Sequence, residues 1–307
     1  MSNMTAAKTS SYAAAREPRS MGDILLIVAR IALIVIMLFF ALFPVIWIVS
    51  ASFNPSGSMV NQQLIPAGVD SLDKLLVNYR RLFDNPQVPF WRWVFNSFFV
   101  AGVSTIITLL ITSISAYAFS RFRFRFRRNL LLFIFLIQVF PNLLAVVALY
   151  LMLLQIGKYI PIFGLNTYGG LILVYVGGAQ ALNIWLMKAF FDTVPRDIDE
   201  SAMVDGATSW QIYWQLIVPL VRPILAVVGL LAFVGSFNEF LLARVFISDR
   251  ENWTLMVGLF NFVSAEFTND WGVFAAGALL AAVPIIILYI FLQRYIVGGL
   301  TAGAVKG

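Results

Sequence analysis

The sequence predicts an all-α polytopic membrane protein with six transmembrane helices, and three observations predict it. The 307 residues are 61% hydrophobic and only 12% charged, about half the charge of an average soluble domain. Apolar runs of the length that crosses a hydrocarbon core, roughly 20 residues, recur along the chain. Between them lie stretches rich in charge, proline and glycine, the composition of loops that return to water. Cysteine and histidine are both absent. That excludes disulfides, thiolate ligands, Ser-His-Asp and Cys-His catalysis, and most transition-metal centres. A net charge of +6 would hint at nucleic acid in a soluble protein; here it is the basic bias of cytoplasmic loops.

Taken in order, residues 1–23 read as a disordered cytoplasmic leader and residues 24–292 as the membrane domain. The spans fall at 24–50, 98–119, 130–154, 171–189, 223–247 and 274–292. The first run is too long for a signal-peptide h-region and reads as an uncleaved span. Gln180 and Asn183 sit inside the fourth, and Pro141 and Pro284 interrupt the third and sixth, each freeing a carbonyl in the helix. An external loop occupies 51–96, with short helices near 72–83, and a second external loop occupies 248–273. Trp253 and Trp271 in the latter fit an aromatic belt at the membrane interface or a contact surface for a partner. A cytoplasmic loop occupies 192–222, and a cytoplasmic tail 293–307.

Orientation follows from basic residues: with a cytoplasmic N-terminus, fourteen Lys and Arg lie inside and seven outside. The run Arg121-Phe122-Arg123-Phe124-Arg125-Phe126-Arg127-Arg128 pins its loop to the cytoplasm. Alternating arginine and aromatic residues also suit RNA stacking, but between two spans the run is a membrane-surface anchor.

The 192–222 loop is the most polar stretch inside the membrane domain. Pro195 suits a first helical turn, and 196–205 then reads as a helix. Gly206 stands where that helix must end, because glycine accepts the left-handed terminal conformation. Thr208 or Ser209 caps a second helix over 210–217, which Pro219 and Pro223 terminate. Asp197, Asp199, Glu200 and Asp205 give the first helix an acidic face.

Within this loop Glu200-Ser201-Ala202-Met203-Val204-Asp205-Gly206 is followed, nine residues later, by Leu216-Ile217-Val218-Pro219. The pattern resembles the EAA loop of ABC importer permeases; Ser201 departs from the usual alanine but is nearly as small. The resemblance extends through Asn78-Tyr79, Asn96-Ser97, Ala116-Tyr117-Ala118-Phe119-Ser120-Arg121-Phe122, Asp205-Gly206-Ala207-Thr208, Pro219-Leu220, Pro223-Ile224-Leu225-Ala226-Val227 and the tail Gly299-Leu300-Thr301-Ala302-Gly303-Ala304-Val305-Lys306-Gly307. It is similar to the second permease of carbohydrate importers of the maltose/maltodextrin type. The resemblance implies the type I ABC importer permease fold in the bacterial inner membrane, with both termini cytoplasmic. It implies a non-catalytic subunit that binds no cofactor itself, with ATP and Mg used by a partner ATPase. The implied partners are a homologous second permease, the ATPase dimer, an extracytoplasmic sugar-binding protein and the lipid bilayer, and no nucleic acid. Glu200, Ser201, Ala202, Asp205, Gly206, Leu216, Val218 and Pro219 would couple to the ATPase. Thr301, Gly303, Lys306 and Gly307 would reach it through the tail, which otherwise is a flexible end. Glu266, Thr268, Asn269 and Asp270 would meet the binding protein, or else belong to a plain interfacial connector.

Polar groups inside spans face cavities or other helices. Gln138, Asn142, Asn183, Asn238 and Glu239 are candidates for the translocation path, or for interhelical hydrogen bonds. Asn238 and Glu239 fall near the middle of the fifth span. An ion-coupled secondary transporter keeps ionisable groups at the midplane, and Glu239 is the one acid placed there. A membrane-embedded enzyme finds no HExxH, no GxSxG and no histidine or cysteine. The absence of GxxxxGK[ST] argues against ATP binding by this chain. Maltose, maltodextrin, trehalose and glycerol phosphate are all compatible cargoes.

Overall fold

The structure, a computed structural model, describes residues 21–56, 64, 66, 69–139, 142–264 and 270–304, and among them every regular element is a helix. The chain forms two compact units, residues 1–48 and residues 49–307. The first unit holds most of α1 (Met21–Ser52). Apart from Arg30, its side chains from Leu25 to Phe43 are apolar, and nearly all are exposed; a helix apolar almost all round is a membrane span. Phe39, Phe43 and Trp47 stack at successive i, i+4 positions with ring centroids 5.9 Å apart.

The second unit begins at the end of α1 and continues into α2 (Leu72–Leu75) and α3 (Val77–Asp84), the short helices expected near 72–83. Ser71 caps α2 by accepting from the Lys74 N–H. Asn78 on α3 donates to the Ser52 and Asn54 carbonyls at 3.0 and 2.9 Å, satisfying backbone groups left open where α1 ends.

Then come α4 (Phe90–Arg121), α5 (Arg127–Val139), α6 (Asn142–Tyr159), α7 (Tyr168–Phe191), α8 (Asp197–Val204), α9 (Ser209–Gln211), α10 (Val218–Leu220), α11 (Arg222–Phe237), α12 (Leu241–Phe246), α13 (Leu255–Val263) and α14 (Trp271–Ala304). At 1.5 Å per residue α4 is roughly 48 Å long, well beyond a hydrocarbon core of about 30 Å. One stripe of α4 carries small or polar buried residues, Val100, Ala101, Ser104, Thr108 and Thr112, which lets α7 and α11 approach closely. Thr112 donates to Gln180 across that contact at 2.8 Å. Two apolar cores result. One, around Trp93, Leu171, Phe246 and Leu255, joins α4, α7, α12 and α13. The other, around Tyr117, Phe191, Ile212 and Ile217, joins the far ends of α4 and α7 to the 192–222 segment.

Among the described residues fewer than six unbroken spans appear, four single helices or five with the bent pair Ser209–Leu220 and Arg222–Phe237. Among the described residues four helices are long and apolar enough to cross: Ile24–Ser52, Phe90–Arg121, Tyr168–Phe191 and Trp271–Arg294. The third expected span is covered by α5 and α6, on either side of residues 140 and 141, which lie outside the described set. The fifth is not one helix through 247. It stops at Asn238, and α12 restarts at Leu241, because the Glu239 carboxylate accepts from the Leu242 and Ala243 N–H groups at 2.9 and 3.0 Å. A side chain that satisfies the first amides of a new helix defines a start there and competes with helix continuation. Pro284, by contrast, does not interrupt the sixth span: α14 runs through it unbroken.

The 248–273 stretch, expected as a loop, holds regular structure. Residues 255–263 form α13, whose Leu255, Val257, Leu259 and Phe262 are buried. Trp253 is core, not belt: it packs on Trp93 with ring centroids 5.9 Å apart, and the guanidinium groups of Arg244 and Arg250 lie over it at 5.3 and 5.5 Å.

Candidate functional site

The 192–222 segment folds as a hairpin of short helices. Asp197, Asp199 and Glu200 occupy the first turn of α8, where acidic side chains oppose the helix dipole. The helix ends at Gly206, whose φ of +84° lies in the left-handed region that glycine alone enters without penalty. The Gly206 N–H donates to the Met203 carbonyl at 3.1 Å and the Ala207 N–H to the Ala202 carbonyl at 2.9 Å. Thr208, one of the two expected caps, then starts α9 with a complete capping box. Its hydroxyl accepts from the Gln211 N–H, and Gln211 Oε1 accepts from the Thr208 N–H at 2.8 Å.

The second arm differs from expectation. Pro219 does not terminate it. Residues Ile212–Ile217 adopt a π-helical turn and the chain continues as α10 through Pro219 to Leu220. A proline lacks the N–H that the carbonyl four residues back would receive, and the wider π ladder accommodates that gap. The break falls instead at Val221, where Ser209–Leu220 and α11 meet at 79°.

The hairpin is held by one face of α4. Ser113, Tyr117, Ser120 and Arg121 are spaced i, i+4, i+7 and i+8, a single helical stripe, and all four are engaged. The Ser113 hydroxyl lies 2.6 Å from the Tyr213 hydroxyl. Tyr117 packs on the Tyr213 ring at 5.2 Å. The Ser120 hydroxyl donates to Asp192 at 2.6 Å, and the Ser120 carbonyl accepts from Arg196 at 3.0 Å. Arg121 donates to the Val194 carbonyl at 3.0 Å and pairs with Asp199 at 3.1 Å, each side chain only 7% exposed. Burial works to raise the Asp192 carboxyl, but hydrogen bonds from Lys188 and Ser120 outweigh it and hold its pKa below the ordinary value.

Two readings of the loop are therefore corrected. Asp199 does not share the acidic face with Asp197, Glu200 and Asp205; it points inward while they stay exposed. Arg121 does not act with the Arg-Phe run at the membrane surface; it is the last residue of α4 and is buried against α8. Outward from the hairpin project Met203, Val204 and Trp210, of which Val204 is 88% exposed. Exposed large apolar side chains with a rim of carboxylates have the composition of a docking patch.

The other candidate residues lie as follows. Ser201 donates its hydroxyl to the Asp197 carbonyl at 2.7 Å, within α8. Ala202, Leu216 and Val218 are half-buried against the second core, and Pro219 is half-buried in α10. The backbone of α14 runs past Thr301 and Gly303, whereas Lys306 and Gly307 lie outside the described residues. So do Glu266, Thr268 and Asn269. Asp270 accepts from the Val273 N–H at the start of α14 and pairs with Arg81 at 3.2 Å. Asn183 is buried in α7, Gln138 is exposed on α5, Asn238 is exposed beyond α11, and Asn142 opens α6. Glu239 accepts from the Tyr175 hydroxyl at 2.8 Å besides capping α12. It is therefore a structural acceptor joining α7 to the break, with both oxygens used.

Sequence reasoning passed over Ser120, Arg121, Asp192, Tyr213 and Asn166. The last accepts from the Ser248 and Asp249 N–H groups, both at 3.0 Å, and so ties the turn before α7 to the end of α12. The i, i+4, i+7, i+8 spacing along α4 was a usable signal for the first two; nothing local marks their partners.

With this geometry in place, comparison with known proteins is informative. Residues 108–301 match the family described as binding-protein-dependent transport system inner membrane component. The chain is 40% identical over 272 residues to the maltose/maltodextrin transport system permease protein MalG of Vibrio vulnificus (strain YJ016), covering 87% of this chain and 91% of that one. It is 38% identical over 283 residues to the protein of the same description from Escherichia coli (strain K12), covering 89% and 94%. Among solved structures it resembles a bacterial ABC transporter involved in the import of the acidic polysaccharide alginate. That likeness has a TM-score of 0.73 and 27% identity, over 90% of this chain and 98% of the other.

Proposed function

The chain belongs to the binding-protein-dependent transport system inner membrane component family and is a permease subunit of an ABC importer; from that premise we propose that its cargo is maltose, maltodextrin or a closely related oligosaccharide. The observation that carries the cargo is the 40% identity along 87% of the chain to a maltose/maltodextrin permease. Trehalose or glycerol phosphate is the second reading.

The 192–222 hairpin is proposed as the coupling element. Met203, Val204 and Trp210 offer apolar anchors to an ATPase subunit and Glu200 offers a rim charge, while α4 and α7 hold the hairpin from behind. ATP and Mg are used by that partner, and this chain supplies the two-state element that ATPase closure biases. A homologous second permease completes the pore. An extracytoplasmic sugar-binding protein delivers cargo to the opposite face, where the segment 261–271 is its proposed contact. The tail, residues 293–307, is proposed to reach the ATPase pair through Thr301, Gly303, Lys306 and Gly307. In this reading both termini and the hairpin are cytoplasmic.

The cargo is tested in proteoliposomes holding the full importer, with ATP hydrolysis measured across a panel of sugar-loaded binding proteins. Stimulation by maltose or maltodextrin is expected. Stimulation by glycerol phosphate alone would move the chain to the second reading. Topology is tested by single cysteines, since the chain has none of its own. In intact cells an impermeant thiol reagent is expected to label Gln87→Cys and to leave Arg125→Cys and Glu200→Cys unlabelled; the reverse pattern would invert the orientation.

A further inference from the structure

Among the described residues of α8, the one fully buried side chain is a charged one, Asp199. Ile198 and Ala202 are half-buried beside it, and the rest of the helix is exposed. A surface helix of eight residues normally anchors through an apolar side chain, because burying a carboxylate is costly unless it is paired and hydrogen-bonded. Here the anchor is an ion pair to Arg121, 3.1 Å away and 7% exposed on each side. Tyr117, one turn earlier on α4, also interacts with the Asp199 carboxylate, although neither carboxylate oxygen has a well-aligned hydrogen bond among the described residues. Arg121 is better placed, for its other end donates to the Val194 carbonyl on the approach to α8.

We propose that Arg121 and Asp199 form a charged pivot that transmits hairpin movement to α4, and so are positioning residues for transport. Three features support it. The pair joins the last residue of a 32-residue helix to the first turn of α8, so displacement of α8 is applied at the very end of a long lever. Asp199 meets polar groups of one helical stripe, Arg121 and Tyr117, so α8 can turn about it with less repacking than a wholly apolar anchor would demand. Around it the second attachments run to the flanks of the hairpin instead: Ser120 to Asp192, Arg196 to the Ser120 carbonyl, and Ser113 to Tyr213. Those would keep the hairpin in place while the pivot turns. Asp199 and Glu200, adjacent in sequence, thereby divide two tasks, one facing inward to the permease and the other outward to the partner. The inference rests on the reading of α8 as the ATPase-docking helix.

The test is Asp199→Asn in the complete reconstituted importer, beside Glu200→Lys. Asp199→Asn preserves shape and removes the charge. It is expected to retain the ATPase subunit on pull-down and to keep basal ATP hydrolysis. Stimulation by sugar-loaded binding protein should fall at least tenfold per assembled complex, and transport with it. Stimulation within twofold of the parent would overturn the pivot, since a purely structural brace changes yield and not coupling per complex. Should Asp199→Asn not accumulate, the apolar pair Arg121→Met with Asp199→Leu serves, because replacing both charges removes the unpaired-charge penalty. An assembled but unstimulated double variant supports the pivot, and a fully stimulated one overturns it. Failure of the docking reading itself looks different: Glu200→Lys would then retain the ATPase subunit.

Discussion

Gly206→Pro is expected to leave the protein inserted in the membrane while abolishing transport. Proline fixes φ near −65°, whereas residue 206 sits at +84°. It also deletes the N–H that donates to the Met203 carbonyl. Together these disfavour the native turn by about 3 kcal/mol or more, roughly a hundredfold in the population of the intact hairpin. The damage stays local, since no side chain crowds the position: a Cβ there would meet nothing within 4 Å. Gly206→Ala is the graded control, costing about 1–2 kcal/mol for the left-handed conformation, with partial transport expected. Glu200→Lys should act by another route. The side chain is exposed, so α8 stays folded, but reversing a charge across a docked surface costs roughly 2 kcal/mol or more, about thirtyfold in affinity. Pull-down of the ATPase subunit and sugar uptake measure both variants. Undiminished uptake in the two of them would remove the hairpin from the coupling pathway.

Gly258→Ala is expected to be the most damaging single-methyl addition in the core around Trp93. A Cβ at residue 258 would lie 2.1 Å from Trp93 Cε3, with two further ring carbons at 2.4 and 2.6 Å. Trp93 has no room to yield. It is 1% exposed, its Nε1 donates to the Arg250 carbonyl at 2.8 Å, and its ring packs on Trp253. The neighbouring Asn96 donates to the Glu251 and Trp253 carbonyls at 2.8 and 2.9 Å, and Ser97 accepts from the Leu255 N–H at 2.7 Å, so α4 is bonded to the 250–255 segment along one face. Overpacking of this kind costs about 1–3 kcal/mol and at times more. The expected result is a lowered melting temperature in detergent and less protein in the membrane. Trp93→Phe, which removes Cε3 and Cζ3 but keeps a ring carbon at Cδ2, should restore part of the loss when combined with Gly258→Ala. Equal stability of Gly258→Ala and the parent would show that α13 is not seated on Trp93 as described.

The hairpin was legible residue by residue. Gly206 at the end of α8 and Thr208 at the start of α9 are local chemistry: a glycine where φ must be positive, and a hydroxyl three residues ahead of the amide it accepts from. Such features need only neighbours in the chain, so spacing alone reveals them. The π-helical turn before Pro219 was less legible. Proline reads as a terminator, and only packing of Ile212, Tyr213 and Ile217 into the second core keeps the helix running through it.

The membrane class, the all-helical fold, and the position and turn chemistry of the hairpin were determined by the sequence itself, because composition and spacing along a chain decide which segments are apolar and where a helix starts or stops. Tertiary structure alone decided where apolar runs divide, which acid on α8 turns inward, and which tryptophan is core. Glu239 divides a run only because amides at 242 and 243 and the Tyr175 hydroxyl converge on it. Asp199 is buried and Glu200 exposed only because Arg121 ends α4 opposite one of them. Trp253 is core only because Trp93, Arg244 and Arg250 enclose it. Each case has a partner remote along the chain, Tyr175 for Glu239, Arg121 for Asp199 and Trp93 for Trp253, beside any local ones. Periodicity assigns a residue to a face, but the cost of burying its charge or ring depends on what stands across that face.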